Sequence, residues 1–324
     1  MSEFGNWAFP DALQPDPQQT GFDLEAALDA VLLLRAEIPE DAYTASILGT
    51  ERAGNGVVIG DDGLVLTIGY LITEAESIWL ATNRGTVVQG HALAYDQPTG
   101  FGLVMPLGQL GVRPLACGTA QALDADSPVI VIGHGGLGHS LKAKIIAKRE
   151  FAGYWEYVLD EALFTAPAHP QWGGAALLGE DGRLLGIGSL LVQEAVGASA
   201  VDGNMFVPID LLAPILKDLL ATGRCAAPPR AWLGIYVTEI DGQLVIGGLA
   251  PGGPAERAGA KLGDLVLEVA GERVNRLAAL FRRIWRCGPA GCEVTLTLAR
   301  RGAASKLQLR SADRGDFLKK PRLH

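Results

Sequence analysis

The chain has 324 residues, 48% of them apolar, with 27 Lys+Arg against 36 Asp+Glu and a net charge of −9. That length sets a prior of about two domains, and the apolar content is ample for a core in each, so a disordered chain is excluded. No apolar run reaches the roughly 18 residues of a membrane-spanning helix, and the Arg residues lack the interleaved stacking aromatics of a nucleic-acid surface.

The charge is unevenly divided. Residues 1–223 hold 10 Lys+Arg against 27 Asp+Glu, and residues 224–324 hold 17 against 9. This asymmetry argues for two units. The opening MSEFGNWAFPDALQPDPQQ has no basic n-region, continuous apolar h-region or small-residue cleavage site, so a cytoplasmic location is expected. Cys117, Cys225, Cys287 and Cys292 form no CxxC pair and are read as free thiols of a reducing compartment.

In chain order, residues 1–22 read as a Pro/Gln/Asp-rich extended arm with Phe4, Trp7 and Phe9 as its anchors. DLEAALDAVLLLRA, residues 23–36, has helical apolar spacing after a capping Asp and predicts an amphipathic helix. From about Ala45 to Pro208, short β-branched runs alternate with turn signals such as Asp62-Gly63 and Asp181-Gly182, the pattern of an all-β barrel or sandwich. DLLAPILKDLLAT, residues 210–222, predicts a closing helix, and 223–231 a Pro-rich linker. Residues 232–312 then read as strand, strand, short helix, strand, longer helix, strand, strand. That order suits a small β-sandwich with two helices. Residues 313–324 read as a loose tail.

Four segments together resemble the HtrA-type serine proteases, a chymotrypsin-like double β-barrel followed by a PDZ domain. GNGVVIGDDGLVLTIGYLI is similar to that family's GSGVII-x-x-DG-x-ILTNNHVV, and TNRGTVVQGHALAYDQPTGFGLVMPL to its DGR…AKVVG-x-DP-x-TDLAVLKV. GHGGLGHSLKAKIIAKRE resembles GNPFGLGQSVTAGIVSA, and NMFVPIDLLAPILKDLLATGR…AWLGI resembles GFAIPIN…VKPVVEQLIKNGKV…PWLGI. The likeness runs in order over roughly residues 45–310. It implies a mainly β fold, with a protease-like domain over 23–222 and a PDZ domain over 232–312.

Position by position, the resemblance puts Tyr70 where the family has its general-base histidine, Gly100 at its orienting aspartate and Trp172 at its nucleophilic serine. A triad needs a hydroxyl whose proton passes to an imidazole held by a carboxylate, and phenol, hydrogen and indole do not supply that sequence. Pro170 falls where a glycine N–H faces the developing oxyanion, and proline has no N–H. The expectation from these positions is a non-enzyme: an inactive pseudoprotease binding peptides or proteins, or acting as a scaffold, through its PDZ domain. The alternative is an active serine endopeptidase or a hydrolase with relocated residues. Trp172 would either seal the old cleft or line a new pocket. The Gly173-Gly174 pair beside it permits a close backbone approach.

In PDZ-like domains the WLGI loop offers backbone N–H groups to a terminal carboxylate, and the peptide pairs along the adjacent strand. Trp232, Leu233, Gly234 and Ile235 are the corresponding candidates, with Leu280, Phe281 and Ile284 of LAALFRRIW as the opposite wall. The expected partner is a peptide or protein C-terminus. Family analogy adds a homotrimer held by the Phe4, Trp7 and Phe9 arm.

No cofactor and no metal are expected. GHGGLG formally matches GxGxxG but precedes an alternating, strand-like segment and lies in no βαβ succession. His134, His139 and His169 have no common ligand spacing. A relocated His169–Ser189 pair is the remaining hydrolytic candidate.

Overall fold

The computed structural model describes residues 7–196 and 199–319; Phe4 lies outside them. The chain forms two compact units. The first takes the described residues up to Arg149 together with Glu161–Cys225, and the second takes Glu150–Asp160 and Ala226–Lys319.

Helix α1 (Leu24–Asp29) begins at Asp23, whose side chain accepts from the Ala26 N–H at 3.0 Å. It stops earlier than the apolar spacing predicts, because VLLLRAE is strand β1 (Val31–Glu37). Four consecutive apolar residues fit a helix or a strand equally well. Pairing on both sides decides the matter: β1 lies between β2 (Glu51–Val58) and a later strand over Ser77–Ala81, with Val31, Leu32 and Leu34 wholly buried. A short helix α2 (Ala45–Leu48) links β1 to β2.

The first barrel continues through β3 (Val65–Ile68), β4 (Ser77–Ala81), β5 (Val87–Tyr95) and β6 (Phe101–Pro106), and closes in the order β1-β2-β3-β6-β5-β4. The Asp62-Gly63 turn between β2 and β3 is built as its sequence requires: Asp62 Oδ1 accepts from the Leu64 N–H at 3.1 Å and Gly63 has φ +85°.

The second barrel holds β7 (Pro128–Ile132), β8 (Ser140–Gly153), β9 (Tyr157–Ala166), β10 (Ala176–Leu178), β11 (Leu184–Val196) and β12 (Ser199–Pro208). It closes in the order β10-β11-β12-β9-β8-β7. Its core includes Val131, Leu141, Ile145, Leu163, Leu177 and Phe206. Closure leaves neither barrel with an exposed strand edge. Helix α3 (Ala213–Thr222) follows, ending on Gly223 at φ +73°.

The second unit is a sheet in the order β13-β14-β15-β17-β18, with β16 paired to β15. Its strands are β13 (Ile235–Ile240), β14 (Gln243–Leu249), β15 (Leu265–Val269), β16 (Glu272–Arg273), β17 (Glu293–Arg300) and β18 (Ala303–Arg310). Helices α4 (Pro254–Ala258) and α5 (Leu277–Arg286) cap it. The buried face of α5 repeats at helical intervals, Leu277, Leu280, Phe281 and Ile284, and packs into one core with Val237, Ile246 and Leu296.

The segment after residue 312 is packed through Lys319 instead of loose. Trp232 and Ala312 exchange backbone hydrogen bonds at 3.1 and 3.0 Å, and the Phe317 ring lies 4.8 Å from that of Trp232. Under this cover Trp232 is 6% exposed, and apolar surface removed from water there stabilises the unit.

Candidate functional site

In the first unit, Tyr70 stands on the 3-10 turn Gly69–Leu71 that ends β3. Gly69 has to be glycine: a Cβ there would lie 2.1 Å from the Tyr95 ring. Its N–H donates to the Gly100 carbonyl at 2.7 Å, which brings the Tyr70 and Gly100 positions together. The Tyr70 hydroxyl donates across to the Ser189 carbonyl at 2.9 Å. Burial pushes the phenol well above its ordinary range, and a hydrogen bond from the Trp172 side chain offsets this only in part. Tyr70, Gly100 and Trp172 are therefore neighbours in space.

The loop that carries Trp172 is fixed from both barrels. Asn55, 1% exposed, donates from Nδ2 to the Gln171 carbonyl at 2.8 Å and the Gly173 carbonyl at 2.9 Å, and its Oδ1 accepts from the His134 N–H at 2.8 Å. The close approach permitted by the paired glycines is to this residue. A Cβ on Gly174, whose φ is +74°, would sit 1.9 Å from the Asn55 carbonyl oxygen. One on Gly173 would lie 2.9 Å from the Tyr70 hydroxyl. Asn55 lies inside the quoted GNG segment, yet nothing in the sequence marks it, because these partners are 79 to 118 residues away.

His169 is fully buried and braces the same loop. Its backbone N–H donates to Asn204 Oδ1 at 2.6 Å, and its Nδ1 accepts from the Gln171 N–H at 3.0 Å. Nε2 therefore carries the proton and donates to the His139 carbonyl at 3.0 Å. Burial pulls its pKa down to about 4, and burial together with His139 and Arg35 does the same for His134. His169 is thus a neutral structural imidazole with both nitrogens engaged, and no bond to Ser189 is among its partners. The Trp7 ring stacks on His139 at 4.2 Å, and Phe9 meets His169 edge-on at 5.1 Å, so these two arm residues pack within their own unit.

Pro170 is exposed, and the next N–H, that of Gln171, is already taken by His169. GHGGLG leads into a 3-10 turn and then β8, not into a phosphate-cradling helix. Among the described residues no His/Cys/Asp/Glu cluster has metal-holding geometry.

In the second unit, Leu233, Gly234 and Ile235 present their backbone N–H groups to a single point. A carboxylate is there. Gly234 N–H donates to Glu156 Oε1 at 2.7 Å and Ile235 N–H to the same oxygen at 3.0 Å, while Leu233 N–H lies 3.1 Å from Oε2. Gly234 holds φ +75°, which lets the three groups converge. Trp232, Leu233 and Ile235 are buried, and Leu280, Phe281 and Ile284 are wholly buried in the core of the unit. In the sequence Glu156 is marked only as a lone acid among the aromatics of YWEY. It is 5% exposed, and burial pushes its pKa up to about 7 against the opposing pull of the three N–H groups and Arg314.

Two family models match in the order of these units: a trypsin-like peptidase domain over residues 54–187 and a PDZ domain over 231–310. The chain therefore joins a trypsin-like barrel unit to a PDZ unit. It is HtrA-like. It is 28% identical to the probable periplasmic serine endoprotease DegP-like of Halomonas elongata over 77% of this chain and 54% of that one. With the periplasmic pH-dependent serine endoprotease DegQ of Escherichia coli it shares 24% identity over 80% of this chain and 59% of the relative. The chain thus spans little more than half the length of these curated relatives. Among solved structures, the HtrA-type protease AlgW with tripeptide matches with a TM-score of 0.53 at 17% identity, covering 95% of this chain and 99% of that one. The serine endoprotease from Yersinia pestis gives 0.51 at 18%, covering 92% and 96%. These likenesses show the fold.

Two expectations are corrected by the relatives. The expectation of a non-enzyme rests on positions 70, 100, 170 and 172; the relatives are named serine endoproteases, and the family is enzymatic. The cytoplasmic expectation, drawn from the first residues, is likewise overturned by relatives that are named periplasmic.

Proposed function

We propose that the chain is an HtrA-like protein whose PDZ unit captures the C-terminal carboxylate of a peptide or protein. One observation carries this: three consecutive N–H groups, at Leu233, Gly234 and Ile235, converge on a carboxylate. Charge-assisted bonds of this kind are roughly twice as strong as neutral ones. The neighbouring β13 is the terminal strand of its sheet, placed to accept an added strand. The protein should bind labelled peptides with a free C-terminus and ignore the same peptides as amides. Equal binding of the two forms would overturn the reading.

The relatives' names favour a second proposal, peptide-bond hydrolysis by the barrel unit. Since Tyr70, Gly100 and Trp172 supply neither the nucleophile nor its base, the chemistry would run on other groups. Incubation with unfolded casein and a fluorophosphonate probe tests it. Cleavage that survives repurification, with the labelled residue identified, supports relocated chemistry; no cleavage and no label overturns it.

The homotrimer is proposed by family analogy, through the N-terminal arm. A monomer by light scattering at micromolar concentration, unaltered by deleting residues 1–20, would overturn it.

A further inference from the structure

The PDZ loop of this chain already holds a carboxylate, and it comes from the chain itself. Resting on the peptide-capture reading above, we propose that the tip of the β8–β9 hairpin is an internal pseudo-ligand: Glu156 takes the place of a peptide's terminal carboxylate, and an outside C-terminus enters only by displacing it.

The backbone argues for mimicry and not for a chance ion contact. The Tyr154 carbonyl accepts from the Val237 N–H of β13 at 3.0 Å. Tyr154 lies two residues before Glu156, and Val237 lies two residues after Ile235. The segment therefore runs antiparallel to β13 and ends with a carboxylate in the loop, the course that a bound C-terminal peptide follows in strand addition. Glu156 itself has φ +60°, a left-handed conformation that is unfavourable for a non-glycine residue. The three N–H bonds offset that strain.

The flanks of the tip are tied down separately. Arg282 of α5 bonds to Glu150 on one side of the tip and Asp160 on the other. Val158 joins the core of the unit. The charged and titratable groups that act on Glu156 are Arg314 and the Tyr236 phenol. An intramolecular occupant lowers apparent affinity by the fraction of molecules in which the loop is empty. The flanking ion pairs favour the docked hairpin.

The test uses the full chain and a fluorescein-labelled heptapeptide pool randomised over its last three residues, prepared with free carboxylates and as amides. Glu156→Ala is expected to bind the free-acid pool at least about tenfold more tightly than the wild type, and Glu156→Gln to tighten it by less because its amide oxygen still accepts from the loop; neither binds the amide pool. Arg282→Ala, which leaves the loop untouched, is expected to tighten binding by about threefold. In the wild type without peptide, the amides of Leu233, Gly234 and Ile235 should exchange slowly with deuterium. Free-acid binding that is equally tight in the wild type and all three variants, or rapid exchange at those amides, overturns the pseudo-ligand while leaving the groove intact. Failure of every protein to distinguish acid from amide overturns the groove reading itself.

Discussion

Asn55 holds Gly173 by two bonds to one oxygen: its Nδ2 and its own backbone N–H both donate to the Gly173 carbonyl, at 2.9 and 2.8 Å. Residues 118 positions apart are thereby locked together, and the Trp172 loop cannot shift without breaking both bonds. Asn55→Ala removes the Nδ2 bonds to the Gln171 and Gly173 carbonyls and the Oδ1 bond from the His134 N–H, while the backbone N–H bond to Gly173 remains. The expected loss is about 2–4 kcal/mol by urea denaturation, since each orphaned buried group costs about 1–3 kcal/mol.

Tyr70→Phe removes the hydroxyl that reaches the Ser189 carbonyl and should cost about 1–2 kcal/mol in the same measurement. In the wild type, the 295 nm absorbance of titrating phenols should include no contribution from Tyr70 until well past the ordinary tyrosine range. A fully normal tyrosine titration would refute the buried placement.

His169 and His134 titrate near 4 in the folded chain instead of near 6.5. Between those values the unfolded chain binds more protons, so the stability contribution of these residues is complete above about pH 6.5 and is lost as pH falls toward about 4. Histidine NMR should show two imidazoles that stay neutral at pH 5. Protonation of both near pH 6.5 would contradict the buried, bonded geometry.

Glu156 behaves with the opposite sign. Its pKa is raised from 4.5 to about 7 when docked, so the docked hairpin binds the proton more tightly than the released one. Docking is favoured below about pH 4.5 and weakens as pH rises through about 7. Hydrogen exchange at residues 150–160 should quicken between pH 6 and 8 beyond the intrinsic base dependence, and Glu156→Gln should abolish the excess.

Much of the architecture was legible along the chain because its signals are local. Alternating apolar runs and Asp-Gly turns marked the barrels, and the helical spacing of Leu277, Leu280, Phe281 and Ile284 marked α5. VLLLRAE misled because a continuous apolar run has no period of its own, and only its two neighbouring strands made it β1. The tail after 312 misled because its anchor, Trp232, lies some eighty residues earlier in the chain.

By itself the sequence determined the two units, their order, and the identity of the side chains at positions 70, 100 and 172. Only the tertiary structure decided what those places hold. It set Asn55 and His169 as braces under Trp172, and it put Glu156 into the loop that the WLGI stretch advertises. The reason is physical: strand and turn formation follow from neighbours a few residues apart. A carboxylate meets three N–H groups 77 to 79 residues away only when folding closes that distance.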